Sequence, residues 1–307
     1  MSGPRALSWA RVPRVAIGHV RRHPAGMFGA AVMIGVAGVA LLAPVLAPGG
    51  PEAGVLRDRL LPPAFAGGSW EHPLGTDRTG RDLLVRIVWG ARTTLLIAVA
   101  ATLLGGVVGI VAGMLAGWSG RWFDLVLGRL ADVAQAVPFV ILAMAVVAVV
   151  GPSLVNLILV LGLASWLFTF RVVRGEMLAA RERPYVEAAR ALGIGERRIL
   201  WRQVLPNVLP SIVVVLTLFV PQTILFSAGL SFLGLGVPPP TPEWGRMIAD
   251  GADYLRTEWW LTLMPSAALV LTVLGITLVG DWVRDLGDPT LRTLSRGAER
   301  PDGPRDA

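Results

Sequence analysis

The sequence predicts an all-α integral membrane protein with six transmembrane helices. Of its 307 residues, 54% are hydrophobic and only 16% charged, too apolar for a water-soluble domain. Six apolar runs follow one another, each close to the length that crosses a hydrocarbon core. All 28 basic residues are arginine, and they crowd into alternate segments between the runs.

Residues 1–26 carry five arginines before any long apolar run, which is long for the n-region of a cleaved signal peptide. They read as a cytoplasmic segment, with the character of an interfacial amphipathic helix. Residues 27–47 form the first transmembrane helix, Met27 to Ala47, and 48–90 an extracytoplasmic segment. A five-helix core over 91–283 follows, with spans at Ala91–Gly117, Ala134–Val150, Val155–Phe170, Leu209–Gly229 and Leu261–Gly280. Pro138 and Pro221 are expected to kink the third and fifth spans. Residues 284–307 form a cytoplasmic tail. With both termini inside, the cytoplasmic segments hold 20 arginines and the outer ones 8, which supports an N-in, C-in topology.

Several chemistries are excluded. Without cysteine there is no disulfide, thiolate metal site or cysteine nucleophile. Three scattered histidines make no metal centre. A phosphate-binding P-loop needs a lysine, and the chain has none. The net charge of +7 belongs to membrane topology rather than to nucleic acid. Asp281, Asp285 and Asp288 near Arg284 and Arg292 read as a helix end with local ion pairs. Trp244, Trp259 and Trp260 read as interfacial anchors.

The polar stretch 181–206 is the exception among these apolar blocks. Pro184 suits the first position of a helix and Glu187 its first turn. Val186, Ala189 and Leu192 share one side, with Ala188 and Ala189 keeping the surface small for a close neighbour. Gly193 stops the helix, and a second amphipathic run from Glu196 to Val204 is expected to end before Pro206. Two capped helices with small apolar faces are more than a solvated loop needs, so the segment reads as a docking element.

The pattern formed by Glu187, Ala188, Ala189, Gly193, Leu205 and Pro206 resembles the EAA loop of ABC importer permeases. In that family the loop is the coupling helix region that docks on the ATPase subunit. The outer run His72 to Leu95 adds a second signature. Gly75, Thr76, Asp77, Gly80, Arg81 and Asp82, followed by Arg86 and Gly90–Arg92, resemble the C-type permease of dipeptide and oligopeptide importers. From the residues alone, Gly75 and Gly80 suit turns and Thr76 or Asp77 a helix cap. Gly117–Asp132, Leu230–Gly245 and Gly280–Pro289 resemble that subfamily as well. Gln203 departs from it, where many relatives carry histidine, and so does the run Gly275–Leu278, where asparagine is frequent.

The resemblance implies a type I ABC importer permease fold in a bacterial cytoplasmic membrane, with no catalytic or metal-ligating residue on this chain. It also implies a second homologous permease, two ATP-binding subunits that carry ATP and magnesium, an extracytoplasmic substrate-binding protein and surrounding membrane lipids. A di- or oligopeptide is the expected substrate, with nickel or another small solute as the alternative within the family. A secondary transporter or channel acting alone is the alternative of another class. Such a transporter often needs ionisable residues within its spans, and the span interiors contain none, Arg92 standing at the very start of the second. Asn156, Gln222 and Thr223 are the candidate path-lining residues. A membrane-embedded enzyme would need a catalytic constellation, and none stands out.

Overall fold

The structure, a computed structural model, describes residues 24–287, so the N-terminal arginines, Asp288 and Arg292 lie outside the described residues. Helix α1 (Pro24–Leu46) leads to an irregular segment with two short 3-10 turns, and then to the long α2 (Leu83–Trp118). Next come α3 (Arg121–Ala136), α4 (Phe139–Val150) and α5 (Leu154–Arg181). The polar stretch forms α6 (Pro184–Ala191) and α7 (Glu196–Ile199), and a π-helical turn, Leu200–Val204, joins α7 to α8 (Leu205–Phe232). The short α9 (Trp244–Ala252) and the long α10 (Trp260–Gly287) complete the described chain.

Five helices are long and apolar enough to cross a membrane, the fourth of them running unbroken from Glu196 to Phe232. The expected third span, Ala134–Val150, is not a single helix. It is broken at Val137–Pro138, and α3 and α4 meet at 86°. The cause is local. Proline drives the preceding residue out of the α region, and Val137 is extended at φ −91°, ψ 124°. Helix α4 has 12 residues, about 18 Å at the α-helical rise, so it falls short of the ~30 Å hydrocarbon core alone. Pro221, by contrast, sits within the continuous α8.

Helices α2 and α5 pair along a stripe of glycines. Gly105, Gly109, Gly113 and Gly117 recur every fourth residue, on one face of a helix. A Cβ at Gly109 would lie 2.6 Å from the Trp166 carbonyl oxygen, and one at Gly113 2.9 Å from the Phe170 carbonyl oxygen. The two backbones therefore touch, and only glycine permits it. Each step of four along α2 meets a step of four along α5 (Ser165, Thr169, Val173, Met177), so the helices run parallel. A parallel pair requires the chain to return across the membrane between them, and that is the work of the bent α3–α4 pair.

In lipid such pairs are held by close packing and interhelical hydrogen bonds rather than by the hydrophobic effect. Ser165 donates to the Ala101 carbonyl oxygen at 3.3 Å, and Thr102 and Thr223 bond at 3.0 Å between α2 and α8. Such bonds contribute roughly 0.6 kcal/mol each, so they fix the register while the glycine contact supplies the packing. Helix α10 closes on α1 in the same way: a Cβ at Gly29 would lie 2.7 Å from the Gly275 carbonyl oxygen.

The tryptophans of the last outer segment are not all interfacial anchors. Trp244 is 2% exposed, its indole N–H donates to the Ile87 carbonyl oxygen at 2.9 Å, and its backbone N–H to Thr94 at 3.2 Å. It pins α9 onto α2. Trp260 is buried in the same apolar cluster, against which Trp259 packs half-buried. Nor do Asp281, Arg284 and Asp285 form the expected ion pairs among the described residues.

Candidate functional site

The outer signature cluster is a built scaffold. Thr76 is fully buried, accepts the Leu61 N–H at 2.8 Å and donates to the Asp58 carbonyl oxygen. Asp77 accepts from the Thr79 and Arg81 backbone N–H groups, from Arg81 Nε at 2.7 Å and from Arg86 at 2.7 Å. Burial pushes the Asp77 carboxyl up, but the Thr79 and Arg81 bonds and the Arg86 charge outweigh it, leaving it below the usual carboxylate value. The helix cap expected at Thr76 or Asp77 falls instead to Asp82, which accepts the Val85 N–H at 3.0 Å and bonds His72 at 2.8 Å. Helix α2 starts eight residues before the expected span and so takes in Arg86. Gly75 and Gly80 sit in turns at φ +83° and +76°. On the same side of the bundle, Glu243 is fully buried and caps α9 by accepting the Gly245 and Arg246 N–H groups at 3.0 and 2.8 Å. Burial raises its carboxyl above the ordinary range.

The polar element 181–206 is rooted in the helix bundle. Val186 and Ala189 are buried, and with Ile199 and Val204 they pack against Trp118, Val173 and Met177. The small face that the sequence offered to an outside neighbour is thus covered by this chain's own α2 and α5. Leu192 does not join it and is 79% exposed. The exposed residues of α6 include Tyr185, Glu187 and Ala188, and Leu192 follows just after the helix. Gly193 follows the helix at φ +74°, and the Ile194 N–H returns to the Ala189 carbonyl oxygen at 3.0 Å, the left-handed turn that glycine best adopts.

Arg190 locks the two helices together. Its guanidinium meets both oxygens of Glu196, at 2.7 and 3.3 Å, and lies 5.5 Å from the centre of the Trp118 ring. Arg181 donates to the Gly117 carbonyl oxygen at 3.3 Å. The second helix does not end before Pro206. The Leu205 N–H bonds to the Leu200 carbonyl oxygen five residues back, and this π turn carries the helix past a residue with no N–H to give. Leu205 is half-buried there and Pro206 exposed. The helix that follows the Gly193 turn is thus continuous from Glu196 to Phe232.

The three path candidates part company. Asn156 braces the start of α5, donating to the Gly151 carbonyl oxygen at 2.9 Å. Thr223 is buried against Thr102. Gln222 alone opens on a trough of about 1150 Å³ between α3, α4, α5 and α8, together with Gln135 and Arg171. Sequence reasoning missed three features. The glycine stripe was legible as a four-residue repeat, but the burial of Glu243 and the trough arise only when distant segments meet.

The pattern of the family described as "Binding-protein-dependent transport system inner membrane component" matches residues 109–293. That described as "N-terminal TM domain of oligopeptide transport permease C" matches residues 14–63. The di/tripeptide transport system permease protein DppC of Pseudomonas aeruginosa is 41% identical over 258 residues, 83% of this chain and 85% of the relative. The probable D,D-dipeptide transport system permease protein DdpC of Escherichia coli is 37% identical over 81% of this chain and 82% of its own. Among solved structures, a chain of the MetNI methionine ABC transporter in an inward-facing conformation superposes with a TM-score of 0.55. It is 22% identical and covers 67% of this chain and 98% of that one, a likeness of fold.

Proposed function

The chain belongs to the family of inner-membrane components of binding-protein-dependent transport systems, and on that premise we propose that it is a permease subunit of an ATP-driven importer of di- or oligopeptides. The observation that carries the reading is the polar element 181–206: an exposed face at Glu187 and Ala188 on a helix pair locked to the bundle by Arg190 and buried side chains. An element exposed on one side and rigid on the other suits a lever. The ATP-binding subunits would press on Glu187, Ala188 and the turn at Gly193. The continuous helix through Leu205 and Pro206 would carry the displacement to the trough beside Gln222. Hydrogen bonds internal to a helix let it move as a unit within lipid.

In this reading both termini and the polar element face the cytoplasm, and the segments around Asp77 and Glu243 face outward. A second permease completes the path, and an extracytoplasmic binding protein delivers substrate. ATP and magnesium reside on the ATP-binding subunits, and this chain performs no chemistry. The curated relatives named above as di/tripeptide and D,D-dipeptide permeases support the substrate class. The test is reconstitution of the four-component complex with its binding protein in proteoliposomes. ATP-dependent uptake of labelled di- and oligopeptides is expected, and uptake of nickel or another small solute with no peptide uptake would overturn the substrate assignment.

A further inference from the structure

The bundle carries a second opening, distinct from the trough. It is a groove of about 730 Å³ where the C-terminal end of α2 meets the α6–α7 turn. Its lining combines two chemistries. It holds Arg181, Arg190 and Arg197 with a single acid, Glu196. Arg190 engages both oxygens of that acid, and among the described residues neither Arg181 nor Arg197 joins an ion pair. The rest of the lining is an apolar wall of Val111, Met114, Leu115 and Leu200, with Trp118 under Arg190 and the 61% exposed Trp201.

The apolar wall continues along α2. Leu96, Val99, Leu103, Val107, Val111 and Leu115 are all exposed, at helical spacing. From Leu96 to Leu115 this stripe rises about 28 Å, close to the thickness of the hydrocarbon core. The arginines therefore begin where the acyl region ends, with Trp201 at the depth where tryptophan anchors at a membrane surface. We propose that this groove binds one anionic phospholipid. Arg181 and Arg197 take the phosphate, and the acyl chain lies along the α2 stripe. Charge selects the headgroup, since the lining carries three arginines against one carboxylate. The apolar wall selects a lipid over free phosphate, which has nothing to place against Val111 and Leu115. Because Trp118 also stacks under Arg190, a lipid seated here braces α2 against the polar element. The proposal needs only the membrane setting, not the peptide assignment.

The experiment uses the complete importer complex in nanodiscs of equal parts phosphatidylcholine and phosphatidylglycerol, released for native mass spectrometry to count retained lipids. Three forms are compared: wild type, R197Q and R181Q/R197Q. Arg197 is exposed and in no ion pair among the described residues, so R197Q tests the site without loosening the fold. Wild type is expected to retain phosphatidylglycerol in preference to phosphatidylcholine. Each arginine removed lowers that preference roughly fivefold, as one surface charge is worth near an anionic leaflet. Excess inorganic phosphate displaces nothing. Equal retention of phosphatidylglycerol by R197Q and wild type overturns the proposal, as does equal retention of both lipids by wild type. Release by phosphate would reduce the groove to a phosphate site, and a wild-type complex that retains no phospholipid would give the groove to a partner subunit. Either result also overturns the proposal.

Discussion

Two residues carry arguments that stand on their own geometry. Gly193 lies at φ +74° with no atom within 4 Å of where a Cβ would be. Space is therefore not the constraint, and the backbone is. A β-branched residue at such a position costs on the order of 1–3 kcal/mol, while asparagine tolerates it far better. Gly193→Val is expected to tilt α7 away from α6, lowering ATP-driven uptake at unchanged membrane abundance, and Gly193→Asn to retain most of it. Uptake divided by abundance is the readout, and full activity of the valine variant would remove the turn from the mechanism. Glu243 presents a different problem, a carboxyl with no exposure whose pKa is raised mainly by burial. A raised carboxyl pKa means that the folded state holds its proton to higher pH than the unfolded chain does. This contribution is fully present below the unfolded pKa, near 4.5, and is lost as pH rises through the folded value. The melting temperature of the wild-type complex should fall over that window. Glu243→Gln keeps one cap acceptor and removes the titration, so the pH dependence of its melting temperature should be shallower than that of wild type. Parallel curves would show that the carboxyl does not titrate there.

At the scale of elements, the α2–α5 pair rests on small residues placed every four. A side chain at Gly109 meets the Trp166 carbonyl oxygen and the Thr169 side chain at 2.6 Å, and backbone cannot yield as a flexible side chain can. Gly109→Leu is expected to separate the helices and to cost at least the 1–3 kcal/mol of an overpacked core. Gly175→Ala, on the exposed face of α5 with nothing within 4 Å, should be neutral or slightly stabilising. Thermal stability of the two purified variants decides it, and a Gly109→Leu protein as stable as wild type would show that the stripe is dispensable. The contrast also explains what the sequence could tell. Apolar runs and the glycine stop at Gly193 are local patterns, and they read correctly. The broken third span did not, although Pro138 was visible. Whether a proline kinks a helix or breaks it depends on what neighbours re-satisfy the freed backbone groups, as for Pro221 within α8 and Pro206 behind its π turn. The buried face of α6 was misjudged for a related reason. The periodicity of Val186 and Ala189 says that a face is covered, not by whom, and here the cover is Trp118, Val173 and Met177 of the same chain. The pairing of Asp77 with Arg86 was likewise hidden, because Asp77 read as a helix cap, a role that Asp82 takes, rather than as a partner of arginines.

For the whole molecule the open question is which way the bundle faces. The parallel run of α2 and α5 fixes the relative sense of these two helices and makes the α3–α4 pair a crossing between them, one of up to six with α1, the helix through α8, and α10. It does not fix the absolute sense. That rests on charge: 20 arginines in one set of segments against 8 in the other, with the excess expected on the cytoplasmic side. Six of the eight belong to residues 48–92. Two of these, Arg81 and Arg86, are consumed by Asp77 in a folded, part-buried cluster, which leaves still fewer free charges on the outer side and sharpens the asymmetry. The chain holds no cysteine, so single cysteines report without background, and Glu71, Arg197 and Thr241 are all exposed in the fold. In intact cells an impermeant thiol reagent should label a cysteine at Glu71 or Thr241 and spare one at Arg197. Permeabilising the membrane should make all three react. Labelling of the Arg197 cysteine alone in intact cells would place the polar element outside, beyond reach of any ATP-binding subunit, and the coupling assignment would fall with the topology.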